Sequence, residues 1–110
     1  MAAVLQATDP LGNRVVLHAE RWRHIVERHP DMAGRLNELR AAIERPTLIQ
    51  VKDPGVNPDE LRYYYLTGQR GPYVLAIVKA WKPYQVWTAW VCRDVRKGGE
   101  CLWLSRPGSE

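Results

Sequence analysis

Two of the chain's three histidines lie five residues apart in Glu20-Arg21-Trp22-Arg23-His24-Ile25-Val26-Glu27-Arg28-His29-Pro30. Histidine is the side chain that titrates near neutrality, so it suits the taking and giving of protons in catalysis. Five residues along a helix turn a side chain by about 140° and raise it about 7.5 Å, so His24 and His29 cannot both face one reacting group from a regular helix. One of them is structural on this geometry. His29 shares a stripe with Trp22 and Ile25 and has the alternative role of a histidine plugging the helix end beneath a sheet. His24 lies on the other face, where a lone histidine is ordinarily just surface. A third chemically suggestive residue is Lys79, which interrupts the apolar run Val74-Leu75-Ala76-Ile77-Val78-Lys79-Ala80-Trp81. A cation in a central strand must find water, an anion or a partner.

The elements that must position these groups follow from periodicity. Trp22, Ile25, Val26 and His29 fall at i, i+3, i+4 and i+7, which predicts an amphipathic helix, with Glu20, His24 and Arg28 on another face. Pro30 disfavours helical geometry in the residue before it and should stop the helix at about His29. His18 stands where a capping hydroxyl is usual, so the cap should be weak. Upstream, Ala3 to Gln6 and Arg14-Val15-Val16-Leu17 flank the turn formers Asp9-Pro10-Leu11-Gly12-Asn13, an N-terminal hairpin pattern. Downstream, Asp31 is placed to cap a second helix carrying Met32, Leu36, Leu39 and Ile43, which Pro46 ends. From Thr47 the period becomes two. Strands are predicted at Thr47 to Val51, Leu61 to Leu66, Tyr73 to Trp81, Tyr84 to Arg93 and Cys101 to Ser105, with a turn-rich loop at Asp53 to Asp59, a turn at Lys97-Gly98-Gly99 and a polar tail.

Two helices followed by hairpin-linked strands predict an α+β domain, the helices on one sheet face and the other face free to work. Alternation groups Arg62 with Tyr64 and Leu66, Leu61 with Tyr63 and Tyr65, Leu75 with Ile77, Lys79 and Trp81, and Tyr84 with Val86, Thr88 and Trp90.

A chain of 110 residues, 45% hydrophobic and 25% charged, is expected to be a single domain spanning 1–110 with its own core. It has no apolar run long enough for a bilayer and no basic, apolar leader at its start, which makes the cytoplasm the expected compartment. The net charge of +4 favours a polyanionic partner. Cys92 and Cys101 make no disulfide framework. They are expected as reduced thiols, with neighbouring strands as the alternative placement, and no Cys/His spacing matches a zinc site. Repeats and glycine-rich nucleotide loops are absent.

The order of motifs resembles the phage-associated branch of the barnase, EndoU, colicin and RelE superfamily of small nuclease domains. The resemblance runs from about residue 14 to about residue 104. It rests on Val16-Leu17 leading into Glu20-Arg21-Trp22 and His24-Ile25, and on Arg28-His29-Pro30-Asp31. Ile43 and Pro46-Thr47 follow ahead of a strand, then Arg62-Tyr63-Tyr64-Tyr65, Val74 to Val78, Val86-Trp87-Thr88-Ala89-Trp90, and Gly98 through Trp103. It implies two N-terminal helices against a curved, mainly four-stranded antiparallel sheet, and a metal-independent ribonuclease that serves as a toxin, with no cofactor. Position by position it points to His24, His29, Arg62 and Thr88 as catalytic, and Tyr64 also falls on its strand motif. Trp90 stands where tyrosine or phenylalanine is usual, and an indole can stack or donate but cannot act as a phenolic acid.

Cleaving RNA without a metal needs a base for the 2′-hydroxyl proton, an acid for the leaving 5′-oxygen, and cations for the charge gathering on phosphorus. Thr88 would orient the phosphate, Lys79 would add charge, and Tyr64 or Trp90 would stack on a base. The expected partners are RNA and a cognate antitoxin or immunity protein, with no membrane. The alternative reading is a non-catalytic RNA- or protein-binding module on the same fold.

Overall fold

The computed structural model describes residues 2–53, 57–96 and 99–105. Strands β1 (Ala3–Thr8) and β2 (Arg14–His18) form the N-terminal hairpin, and α1 (Ala19–Arg28) follows at once. A 3-10 turn at Pro30–Met32 leads to α2 (Leu36–Glu44). Then come β3 (Leu48–Asp53), β4 (Asn57–Leu66), β5 (Tyr73–Lys79), β6 (Tyr84–Cys92) and β7 (Glu100–Leu104). Residues 54–56 of the expected turn-rich loop, 97 and 98 of the expected glycine turn, and the tail at 106–110 lie outside the described residues.

All seven strands join one sheet in the order β1-β2-β6-β5-β4-β3-β7. This corrects the expected four-stranded antiparallel sheet. The four strands β3 to β6 do form an antiparallel centre. The N-terminal hairpin is not separate from it, because β2 adds alongside β6 in parallel, pairing Val15 with Tyr84 and Val16 with Gln85. At the far edge β7 pairs antiparallel with β3. The sheet is therefore mixed. The helices are not two N-terminal helices laid on one face of it either. They enter after the first hairpin, α1 against β1, β2 and β6, and α2 against β1, β4 and β5.

The main core gathers Ile25 of α1 and Leu39, Ala42 and Ile43 of α2 with Leu61, Tyr63, Val74, Ala76 and Val78 of the central strands. A smaller cluster on the opposite sheet face holds Tyr64, Leu75 and Ile77, with Leu48, Trp90 and Val95 packed against it. In β4 and β5 the period of two thus assigns faces as the sequence predicts.

In β6 it does not, and the cause is one residue. Ile77 pairs with Thr88 but Val78 pairs with Val86, so Trp87 is an extra residue, a β-bulge. A bulge shifts the alternation beyond it to the other face. Tyr84, Val86, Ala89 and Val91 accordingly meet the main core, while Trp87, Thr88 and Trp90 line the opposite side. The predicted grouping of Thr88 and Trp90 with Tyr84 and Val86 is corrected.

Helix α1 ends at Arg28 with His29 as its C-cap, as Pro30 dictates, and His18 makes no side-chain capping bond. The second helix begins later than predicted. Gly34 takes φ +77° and breaks the path, so Asp31 caps nothing. Its carboxylate instead accepts the Val91 N–H at 2.8 Å and ties the turn to β6. Because a side chain at φ +77° is strained even in open space, Gly34→Ala should lower stability by about 1 kcal/mol, read as a lower urea midpoint at unchanged slope.

Strand order also settles the cysteines. β5, β4 and β3 lie between the strands carrying Cys92 and Cys101, and both thiols are free. Among the described residues no helix is long and apolar enough to cross a membrane.

Candidate functional site

On the sheet face opposite the main core, β4 and β6 together with the segment after β6 enclose a cleft of about 310 Å³, lined by Glu60, Arg62, Trp87, Thr88, Trp90 and Arg96. Arg62 is the unusual member, an arginine only 7% exposed. Such a charge needs partners. Gln50, directly opposite on β3, supplies one, its Oε1 accepting from Nη1 at 2.7 Å. Tyr64 is fully buried beside them, with its ring edge-on to Tyr73. Its hydroxyl accepts the Arg96 N–H at 3.1 Å and donates a longer bond, 3.5 Å, to the same Gln50 oxygen. Tyr64 thereby fixes both the amide that holds Arg62 and the backbone that carries Arg96.

Glu60 is nearly buried and pairs with Lys79 Nζ at 3.2 Å. Among the described residues the cleft lining therefore carries Arg62 and Arg96 against the one carboxylate of Glu60, which Lys79 also pairs, an arrangement suited to an anion. Thr88 faces the cleft because it pairs with Ile77, which in turn pairs with Arg62.

His29 stands at the rim. Its ring stacks on Trp90 with centroids 5.5 Å apart and planes at 29°. Two bonds hold it there: its own N–H to the Ile25 carbonyl at 2.7 Å, and the Asp31–Val91 bond two residues on. His24 lies elsewhere, in a second cleft of about 360 Å³ that it lines with His18, Arg23 and Gln85. Helical geometry separates the two imidazoles as the sequence requires. Trp87 borders both clefts.

The structure brings Arg62, Thr88 and Trp90 together, places His29 against Trp90, and connects Lys79 through Glu60. His24 is outside the cleft, and Tyr64 is buried with no surface for a base. Sequence reasoning missed Gln50, Glu60 and Arg96. The first two had a signal. Gln50 breaks the apolar strand Leu48–Val51, and Glu60 precedes Arg62 by two, which puts both on one face. Arg96 sits in irregular chain and had none.

This arrangement can bind a phosphate by two guanidiniums and a hydroxyl, with the Glu60 carboxylate in the same cleft and the His29 imidazole outside its lining, against the Trp90 ring. Among the described residues no group of three or more His, Cys, Asp and Glu is placed to hold a metal ion. No family model matches the chain, and no curated protein or solved structure matches it.

Proposed function

We propose that this chain is an RNA endonuclease that uses its own side chains for the chemistry, without a metal ion. Arg62 and Arg96 hold the scissile phosphate, and Thr88 orients it. Glu60 takes the 2′-hydroxyl proton as that oxygen attacks phosphorus. The bond from phosphorus to the 5′-oxygen breaks as His29 protonates the leaving oxygen. The products are a 2′,3′-cyclic phosphate and a 5′-hydroxyl. The single observation that carries this reading is the convergence of the buried, Gln50-held Arg62 with Thr88, Arg96 and Glu60 in one cleft, with the imidazole of His29 stacked on its Trp90 wall. The order of motifs extends the proposal to a cytoplasmic toxin restrained by a cognate antitoxin or immunity protein.

The test is incubation of purified protein with end-labelled RNA in EDTA. Cleavage with cyclic-phosphate ends is the expected result. Arg62→Ala should slow it roughly 10²–10³-fold, the usual effect of losing one charge-stabilising donor at the reacting centre. Circular dichroism on the variant separates this from unfolding. Cleavage that EDTA abolishes, or Arg62→Ala of full activity, would rule the mechanism out.

One observation favours a second reading, a non-catalytic RNA-binding module: neither His24 nor His29 lines the cleft itself. Salt-dependent RNA binding without cleavage is its expected signature.

A further inference from the structure

Three aromatic and cationic groups from separate elements meet around Trp87, the residue the two clefts share. Trp81, in the turn from β5 to β6, is 43% exposed, unusual for so large an apolar ring. It is nonetheless fixed. Its Nε1–H donates to the Asp59 carboxylate at 3.0 Å, and its ring meets Trp87 edge-on with centroids 5.5 Å apart at 73°. Trp87 is the bulged residue of β6, and the Arg21 guanidinium from α1 lies 3.9 Å over its ring. Ordering these side chains has thus been done before any ligand arrives, which reduces what binding must spend on it.

We propose that Trp81, Trp87 and Arg21 form a stacking platform for the bases of single-stranded RNA, which rests on the reading of the neighbouring cleft as an RNA phosphate site. Trp87 belongs to both clefts, and cations lie on either side of it: Arg62 and Arg96 with Glu60 in one, Arg21 and Arg23 with Glu20 and Glu27 in the other. A strand whose phosphate is held by Arg62 and Arg96 would bring a neighbouring base to Trp87, which borders that cleft. Aromatic rings and guanidinium planes stack on unpaired bases, whereas a duplex keeps its bases on each other. The platform therefore selects splayed, single-stranded substrate and places the nucleotide beside the scissile phosphate. Stacking is tolerant of base identity, so it sets strandedness and register rather than sequence.

The test measures affinity for a 2′-O-methyl oligonucleotide, which binds but has no free 2′-hydroxyl to attack, as a single strand and as a duplex. Trp81→Ala should weaken the single strand roughly 5- to 150-fold, the worth of one to a few kcal/mol of stacking, and leave the duplex affinity unchanged. Trp81→Phe should restore most of the loss. Arg21→Ala, on a different element, should weaken single-strand binding in the same direction. Unchanged single-strand affinity in Trp81→Ala and Arg21→Ala overturns the platform, as does equal wild-type affinity for the duplex. If the wild type cleaves unmodified RNA while these variants bind normally, the platform is wrong and the nuclease stands. Trp81-dependent binding without cleavage leaves the platform standing and removes the nuclease, and absence of any RNA binding removes both.

Discussion

His29→Ala is expected to slow RNA cleavage about 10²–10⁴-fold, the range over which a positioned proton-transfer group contributes. His24→Ala should stay within about threefold of wild type, as befits a residue outside the reacting constellation. The contrast follows from where α1 ends. His29 is the C-cap, held by its N–H on Ile25 and by the Asp31–Val91 bond, and its ring lies against Trp90 on the wall of the Arg62 cleft. His24 is on the other side of Trp87, in the cleft of His18 and Gln85. Single-turnover rates with saturating protein isolate the chemical step, and affinity for the 2′-O-methyl strand should be unchanged in His29→Ala. That combination marks a group acting on the reacting atoms, because a stacking or structural role would move binding as well. Partial recovery of cleavage on adding imidazole to His29→Ala would support it further. The reverse result, loss in His24→Ala with His29→Ala intact, would move the reaction to the other cleft. Two silent variants would leave the non-catalytic module.

What the sequence made legible, and what it hid, divides by the range of the interactions. The existence of the strands from β3 to β6 and the end of α1 are written locally, in apolar runs such as Val74 to Val78 and in Pro30, but the strand bounds are not: β3 runs on to Asp53 and β4 begins at Asn57, inside the expected turn-rich loop, and β5 stops at Lys79, two residues short of Trp81. The parallel seam of β2 with β6 joins residues about seventy apart, and no pattern within either strand records it. The same is true of Asp31. Its local chemistry is that of a helix cap, yet the positive φ of Gly34 and the reach to Val91 assign it otherwise. The cleft shows the finest dependence. Arg62 and Thr88 came from the order of motifs, but Thr88 shares a face with Arg62 through its register with Ile77, and the extra residue Trp87 puts Tyr84 and Val86 on the other face; a bulge has no composition of its own. Gln50 and Glu60 were readable as polar interruptions. Reading them as partners of Arg62 and Lys79 needed the register of β3, β4 and β5.

The largest loss of stability is expected at Asp9, far from the cleft. Asp9→Ala should destabilise the fold by about 3–5 kcal/mol, measured by urea denaturation, because it strands the buried Tyr63 hydroxyl and removes three part-buried turn bonds at once. The side chain is 3% exposed. One carboxylate oxygen accepts the Leu11 and Asn13 N–H groups at 3.0 and 2.8 Å, which shapes the β1–β2 turn. The other accepts the Asn13 amide at 3.1 Å and the Tyr63 hydroxyl at 2.5 Å, tying that turn to the middle of β4. Tyr63→Phe removes one of these bonds, leaves the carboxylate its turn partners, and should cost only about 1–2 kcal/mol. In a double-mutant cycle the two changes should couple, since each removes the same bond. Burial, and then the bond to Asp9, push the Tyr63 phenol well above its ordinary value near 10. The proton therefore stays on in the folded chain at a pH where the unfolded chain has lost it. Tyr63's contribution is complete below the unfolded value and shrinks as pH rises above it, so part of the alkaline loss of stability should vanish in Tyr63→Phe. If the cleft is the reaction site, Asp9→Ala should retain its cleavage chemistry at temperatures where it remains folded, because none of its four bonds touches Arg62, Thr88 or His29.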